Sequence, residues 1–152
     1  MSFSIEEIRR VQETTGLCNL LIFGLGFDSV FWNDVNKLGS TVFLEDNRQW
    51  IDTVRKNSPH LTVYRGDYTT RVAEGSKYVD AGTWEGLRLK LPRQIEELEW
   101  DIILVDGSAG DCPDCPGRFQ SIYTAATLRR PYYPDSTAPL TIIDDCDRQV
   151  EK

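Results

Sequence analysis

Gly24-Leu25-Gly26 follows directly on a short apolar run, Asn19–Phe23, and here the chain first offers chemistry. Glycines at the end of a buried strand let the backbone turn sharply and approach a ligand closely. About 20 residues further on, Glu45 closes a second apolar run, a spacing that suits a carboxylate bonding the two hydroxyls of a ribose. A dinucleotide fingerprint wants a third glycine where this chain has Ser29. A pyrophosphate also wants an uncluttered helix N-terminus, and Asp28 would repel it there. These features describe a nucleoside ligand that carries positive charge and no phosphate. S-adenosylmethionine, with its adenosine, sulfonium and amino-acid tail, fits. Gly24, Gly26, Asp28 and Glu45 are the expected cofactor residues. Asp67 and Tyr68, after a third apolar run, offer a polar contact and an apolar face to the adenine ring.

A second set of groups lies downstream. Asp106 closes the apolar run 101–105, and Asp144-Asp145 close the run Leu140–Ile143. Methyl transfer from a sulfonium is an in-line displacement, so placement supplies most of the catalysis. A weakly nucleophilic acceptor gains from a base or a cation beside it. Asp106 is the first candidate for that group, and Asp145 the next. Asp106, Asp144 and Asp145 together could share a divalent ion of the Mg, Mn or Ca type; the plainer alternative is that they cap loops and helix starts. Arg118 follows Pro116-Gly117, and its planar guanidinium could hold an acceptor carboxylate bidentately. Cys112-Pro113-Asp114-Cys115 lacks the second ligand pair of a zinc site, and its prolines hold it in a loop, so a local disulfide or two idle thiols is expected.

These groups need a scaffold that brings strand ends together. Short apolar runs alternate with helical patterns along the chain, which means βαβ units and a doubly wound, mainly parallel sheet with helices on both faces. Helices are expected over 4–15, with Ser4 and Glu7 as a capping-box pair, over 27–37, from Asn47 to Pro59, from Pro92 to Leu98 and over 118–130. Leu87, Leu89 and Leu91 alternate with Arg88 and Lys90 and predict a half-exposed strand. In such a sheet the ligand sits beyond the carboxyl ends of the strands, where the acidic residues and glycines gather. One domain over residues 1–152 is expected from the length. A net charge of −7 argues against nucleic acid or an anionic membrane surface as main partner, and no run approaches the ~20 apolar residues of a membrane span.

Several motifs also carry a family resemblance. The stretch from Cys18 to Ser29, then Thr41–Asp46 with Trp50, Trp100–Asp106, Pro116-Gly117-Arg118 and Asp145–Lys152 closely resemble, in order, the glucuronoxylan 4-O-methyltransferase (polysaccharide-biosynthesis domain) family of plants. The resemblance runs from about Glu6 to the last residue and is weakest between Thr70 and Leu98. It implies a Rossmann-like class I methyltransferase fold and an S-adenosylmethionine-dependent O-methyltransferase acting on a sugar hydroxyl. O-4 of glucuronic acid in a polysaccharide, or a related uronate, is the acceptor so implied. Where the family has His-Asp this chain has Asp144-Asp145, and the loop around Cys112 and Cys115 departs from the family's Lys-Gly-Tyr element. The family fold has seven strands where five are expected here. Plant relatives sit in the Golgi behind an N-terminal anchor; a full-length protein of this form would be cytosolic. An NAD-dependent Rossmann oxidoreductase shares the glycines and Glu45, and a non-catalytic cofactor-binding module shares them too.

Overall fold

Mainly apolar strands of four to six residues are too short to bury themselves and must pair. The computed structural model describes residues 2–80, 82, 84–129, 131–134 and 138–144. In it β1 (Asn19–Phe23), β2 (Ser40–Glu45), β3 (Thr62–Arg65), β4 (Ile102–Val105) and β5 (Leu140–Ile143) form one sheet of order β3-β2-β1-β4-β5. Every pairing is parallel, with Phe23 of β1 opposite Leu44 of β2 on one side and Val105 of β4 on the other. The chain moves outward from β1 to β3 and then returns past β1 to β4. The ends of β1 and β4 therefore flank the point where strand order reverses.

Alternation of side chains along each strand divides the core in two. Leu20, Ile22, Phe43, Val63, Ile102 and Leu104 point to one face, which is covered by Ile8 of α1 (Ser2–Thr15), Trp32 of α2 (Ser29–Val35) and Ile51 of α3 (Arg48–Asn57). Leu21, Phe23, Val42, Leu44, Ile103 and Val105 point to the other. There they meet Ile95 of α5 (Arg93–Glu96), Trp100, and Ala125 and Leu128 of α6 (Phe119–Leu128). Burying both faces explains why these strands read as continuous apolar runs. Each such fully buried aliphatic or aromatic side chain contributes ~1.5–3 kcal/mol. No helix among the described residues is long and apolar enough to cross a membrane.

Asn47 caps α3 as expected, its side chain accepting the Trp50 N–H (3.1 Å). Three local expectations are corrected. Helix α1 begins at Ser2, so Ser4 lies inside the helix rather than capping it. Helix α2 covers only Ser29–Val35, because Gly26 to Asp28 are spent on the turn that leaves β1. The alternating leucines form no strand: Leu87 ends a short 3₁₀ turn (Trp84–Leu87), and Leu89 continues irregularly.

Polar residues of α6 account for where the irregular backbone turns for hydrogen bonds. Thr124 Oγ1 accepts the Leu89 N–H (2.9 Å), and Gln120 Oε1 accepts those of Thr69 (2.7 Å) and Thr70 (3.2 Å). Gln120, Ser121 and Thr124 are all buried, so α6 presents a polar stripe inward as well as an apolar one. That stripe substitutes for a strand ladder and satisfies backbone groups that burial would otherwise strand. A short helix, α4 (Gly75–Asp80), follows the segment that α6 holds.

Candidate active site

The turn after β1 sets the geometry. Gly24 has φ +117°, a region that side-chain-bearing residues rarely adopt, and its N–H donates to Leu44 O (2.8 Å). The backbone of Gly107, just past β4, crosses it closely. A Cβ built on Gly107 would lie 2.8 Å from Gly24 Cα and 3.1 Å from Gly24 N, both backbone atoms that cannot swing aside. Gly107 is a residue the sequence reading missed; its only signal was an Asp-Gly pair closing an apolar run. Gly107→Ala is expected to destabilise the fold by about 1–3 kcal/mol through this overlap. Gly86→Ala, where a Cβ would meet nothing within 4 Å, should change stability by less than about 0.5 kcal/mol. Chemical denaturation of the pair measures both.

Beyond these crossing glycines opens a cleft of about 510 Å³, within the range of small-molecule sites. Gly24, Gly26 and Glu45 line one side, and Asp106, Gly107 and Arg118 line the other. The structure thus brings together six of the residues singled out from sequence or by that close crossing. Glu45 is the hub of its side: Oε2 accepts the Leu25 N–H (3.1 Å), while Oε1 accepts those of Asp46 (3.1 Å) and Asn47 (2.8 Å). Burial raises its pKa above the ordinary carboxylate value, and the Asn47 N–H opposes that rise. Trp50 Nε1 donates to Leu25 O and braces the same turn from α3.

Asp28 and Ser29 shape the helix start beside the turn. Ser29 is buried, and its Oγ accepts the Gly26 N–H (3.0 Å). Asp28 Oδ2 accepts from Trp32 Nε1 (2.9 Å), and Oδ1 lies 2.6 Å from where a Gly26 Cβ would be. Asp28 stands behind the glycine turn rather than on the cleft wall. Asp67 and Tyr68 are also away from that wall. Asp67 pairs with Arg65 (2.9 Å) at an exposed position, and the Tyr68 hydroxyl meets Ser121 Oγ (3.0 Å) on the second core face. Burial pushes the Tyr68 phenol far above its usual value.

Arg118 departs most from the picture of an open fork. It is 2% exposed. Its Nη1 donates to Asp144 O, and Nη2 donates to Asp106 O (3.0 Å) and approaches Asp106 Oδ1 (3.5 Å). The guanidinium thus bridges the carboxyl ends of β4 and β5. Among the described residues no group of three or more His, Cys, Asp or Glu is placed to hold a metal ion. Asp145 and the closing motif through Lys152 lie outside the described residues, as does Cys146. Cys112 and Cys115 form a disulfide, one of the two states expected for them, and Cys18 is buried in the first core face.

A five-stranded parallel sheet with flanking helices, a glycine turn after β1, an acidic residue closing β2 and a cleft where strand order reverses defines a Rossmann-like α/β domain. The chain belongs to the IRX15/IRX15L/GXM family, whose model matches residues 3–87 and 83–152. It is 36% identical over 157 residues to glucuronoxylan 4-O-methyltransferase 2 of Arabidopsis thaliana, covering 94% of this chain and 54% of that protein. From the same plant, arabinogalactan O-methyltransferase 2 is 33% identical (88% of this chain, 52% of its own length). Protein IRX15-LIKE is 34% identical (89% and 48%). The chain spans about half the length of these curated relatives. No solved structure matches it.

Proposed function

We propose that this chain carries the donor and catalytic half-site of an S-adenosylmethionine-dependent O-methyltransferase acting on a sugar hydroxyl of a polysaccharide. The observation that carries this reading is the cleft's division into two lips. Glu45 and the glycine turn stand on one, and Asp106, backed by Arg118, on the other. Asp28 and Ser29 support it by filling the helix start that a pyrophosphate would need. Names of the relatives support it as well, since two of the three are O-methyltransferases of polysaccharides. Of the residues named from sequence, Gly24, Gly26 and Glu45 would hold the donor, Asp28 would support the turn and Tyr68 the core beside it, while Asp67 pairs with Arg65 at the surface.

When bound, the donor supplies an electrophilic methyl group on a sulfonium. The chain's own residues do the rest. Glu45 holds three backbone N–H groups, so the turn is fixed before the donor arrives, and its carboxylate would bond the ribose hydroxyls. Gly24 and Gly26, without side chains, let the backbone approach the donor's tail. Asp106 would accept the proton of the acceptor hydroxyl. In this reading Arg118 is a positioning residue: buried, with donors directed at carbonyls of both β4 and β5 ends, it fixes the Asp106 carboxylate. A uronate on the acceptor would then meet the guanidinium's charge through the cleft wall rather than an open fork.

Titration with S-adenosylhomocysteine and, separately, with NAD tests the reading. At a hundredfold excess over Kd a specific ligand stabilises by ~2.7 kcal/mol, a rise in Tm of roughly 5–10 °C for a chain this size. S-adenosylhomocysteine is expected to give that shift and NAD none. Stabilisation by NAD alone would make the chain an oxidoreductase. Donor binding without methyl release on any glucuronoxylan or arabinogalactan fragment would make it a binding module.

A further inference from the structure

Residues 106–118 run from β4 to α6, and their hydrogen bonds divide them into a neck, a wall and a tip. The neck is closed by Ser108 Oγ donating to Gly117 O (2.8 Å) and Gly117 N–H donating to Ala109 O (2.9 Å). The tip is a turn in which the Cys115 N–H donates to Cys112 O (3.1 Å), locked by the Cys112–Cys115 disulfide. From the neck toward the tip run Ala109, Gly110 and Asp111, and all three line the cleft. Two of these three residues are alanine or glycine and carry little side chain to anchor the backbone. Its position follows from its two ends.

The tip is docked on the segment after β3. Val72 N–H donates to Cys115 O and Ala73 N–H to Pro113 O (both 2.9 Å), Thr70 Oγ1 donates to Pro116 O (2.8 Å), and Arg71 pairs with Asp114 (3.3 Å). Each of these contacts except the ion pair depends on the carbonyl directions of residues 113, 115 and 116. The disulfide holds that turn in shape, so the acceptors stay aimed at Val72 and Ala73. The docked segment is in turn held to α6 through Gln120. The wall lies on the lip opposite Glu45, beyond Asp106, where the proposed reading places the acceptor.

We propose that the Cys112–Cys115 disulfide is a reducible tether that positions the acceptor wall of the cleft and so sets how well the acceptor, but not the donor, is bound. The inference rests on the proposed methyltransferase reading. Cys112 is exposed and Cys115 half-buried, so a small dithiol can reach the bond. Its thiolate attacks one sulfur, the second dithiol sulfur closes a ring and leaves as a cyclic disulfide, and two electrons and two protons pass to the cysteine pair. Cys112 and Cys115 are positioning residues that touch neither reactant.

Hydrogen exchange and kinetics on the oxidised protein, the dithiol-reduced protein and the Cys112→Ser/Cys115→Ser variant test this. On reduction, the Val72 and Ala73 amides are expected to lose protection while those of β1 and β2 keep theirs. With glucuronoxylan or arabinogalactan fragments as acceptor, KM should rise about tenfold, with kcat and the affinity for S-adenosylhomocysteine unchanged. The double serine variant should match the reduced protein and ignore dithiol. Unchanged protection on reduction overturns the tether. Lost protection with unchanged acceptor KM overturns its role in acceptor binding. Absence of methyl transfer by the oxidised protein overturns the methyltransferase reading instead, and exchange at Val72 and Ala73 still decides the tether.

Discussion

Glu45→Ala should weaken binding of S-adenosylhomocysteine by ~1.5–3 kcal/mol, about ten- to a hundredfold, while the chain stays folded. The magnitude is that of a hydrogen bond to a charged group in a partly desolvated site. Two effects combine: loss of the ribose partner, and loss of the acceptor for the Leu25, Asp46 and Asn47 N–H groups. Glu45→Gln separates them, because an amide keeps one oxygen for the turn and offers no charge. Its affinity should fall between those of the parent and the alanine variant. The pH dependence follows from burial, which raises the Glu45 pKa above its usual value. Donor affinity should fall as pH drops through that raised pKa, earlier than for an exposed carboxylate. For folding the sign is opposite: a raised native pKa contributes stability that is full below the unfolded pKa and lost as pH rises through the native one. Acid should therefore release the donor without unfolding the chain through this group. Calorimetric titration across pH, with Tm followed in parallel, checks both directions. Equal affinity for the parent and Glu45→Ala at every pH would place the ribose elsewhere.

The strands and the Glu45 side of the cleft were legible because their signals are local. Strands buried on both faces are written as short apolar runs, and β1 and β5 fall where those runs fall. Gly24, Gly26 and Glu45 sit at fixed offsets from such runs, so their meeting follows once the strands pair in parallel. The misread segments depend instead on distant partners. Leu87, Leu89 and Leu91 alternate like a strand, yet the partner of Leu89 is a threonine hydroxyl on α6. Gly107 looks like any turn residue until Gly24 is seen against it. A charged residue after Pro-Gly reads as exposed, but Arg118 is buried because two strand ends turn their carbonyls toward one point. That convergence exists only after β5 docks on β4. Likewise the C-x-x-C spacing suggested a local bond or two idle thiols but not the docking of that turn on residues 70–73, which no periodicity marks.

Asp106→Asn should lower kcat about a hundredfold to ten-thousandfold, the usual range for removing a general base, with donor affinity kept. Asparagine is close in shape and leaves the main-chain contact from Arg118 Nη2 to the residue 106 carbonyl (3.0 Å) in place. The backbone N–H of Asp106 is likewise committed to Phe23 O (2.9 Å), so the end of β4 is held by main-chain bonds that the substitution does not touch. What changes is the capacity to accept a proton. A sugar hydroxyl that attacks without a base must carry its proton into the transition state, and the barrier rises accordingly. KM for the acceptor should move little, because the loss falls on a group needed when the oxygen attacks rather than when it binds. Raising pH should restore part of the rate in the asparagine variant as solvent base takes the proton, whereas the parent should gain less. Full turnover by Asp106→Asn with unchanged pH dependence would move the proton transfer to another group on the same sheet edge, and Asp145, two residues past the last residue of β5, would be the next residue to replace.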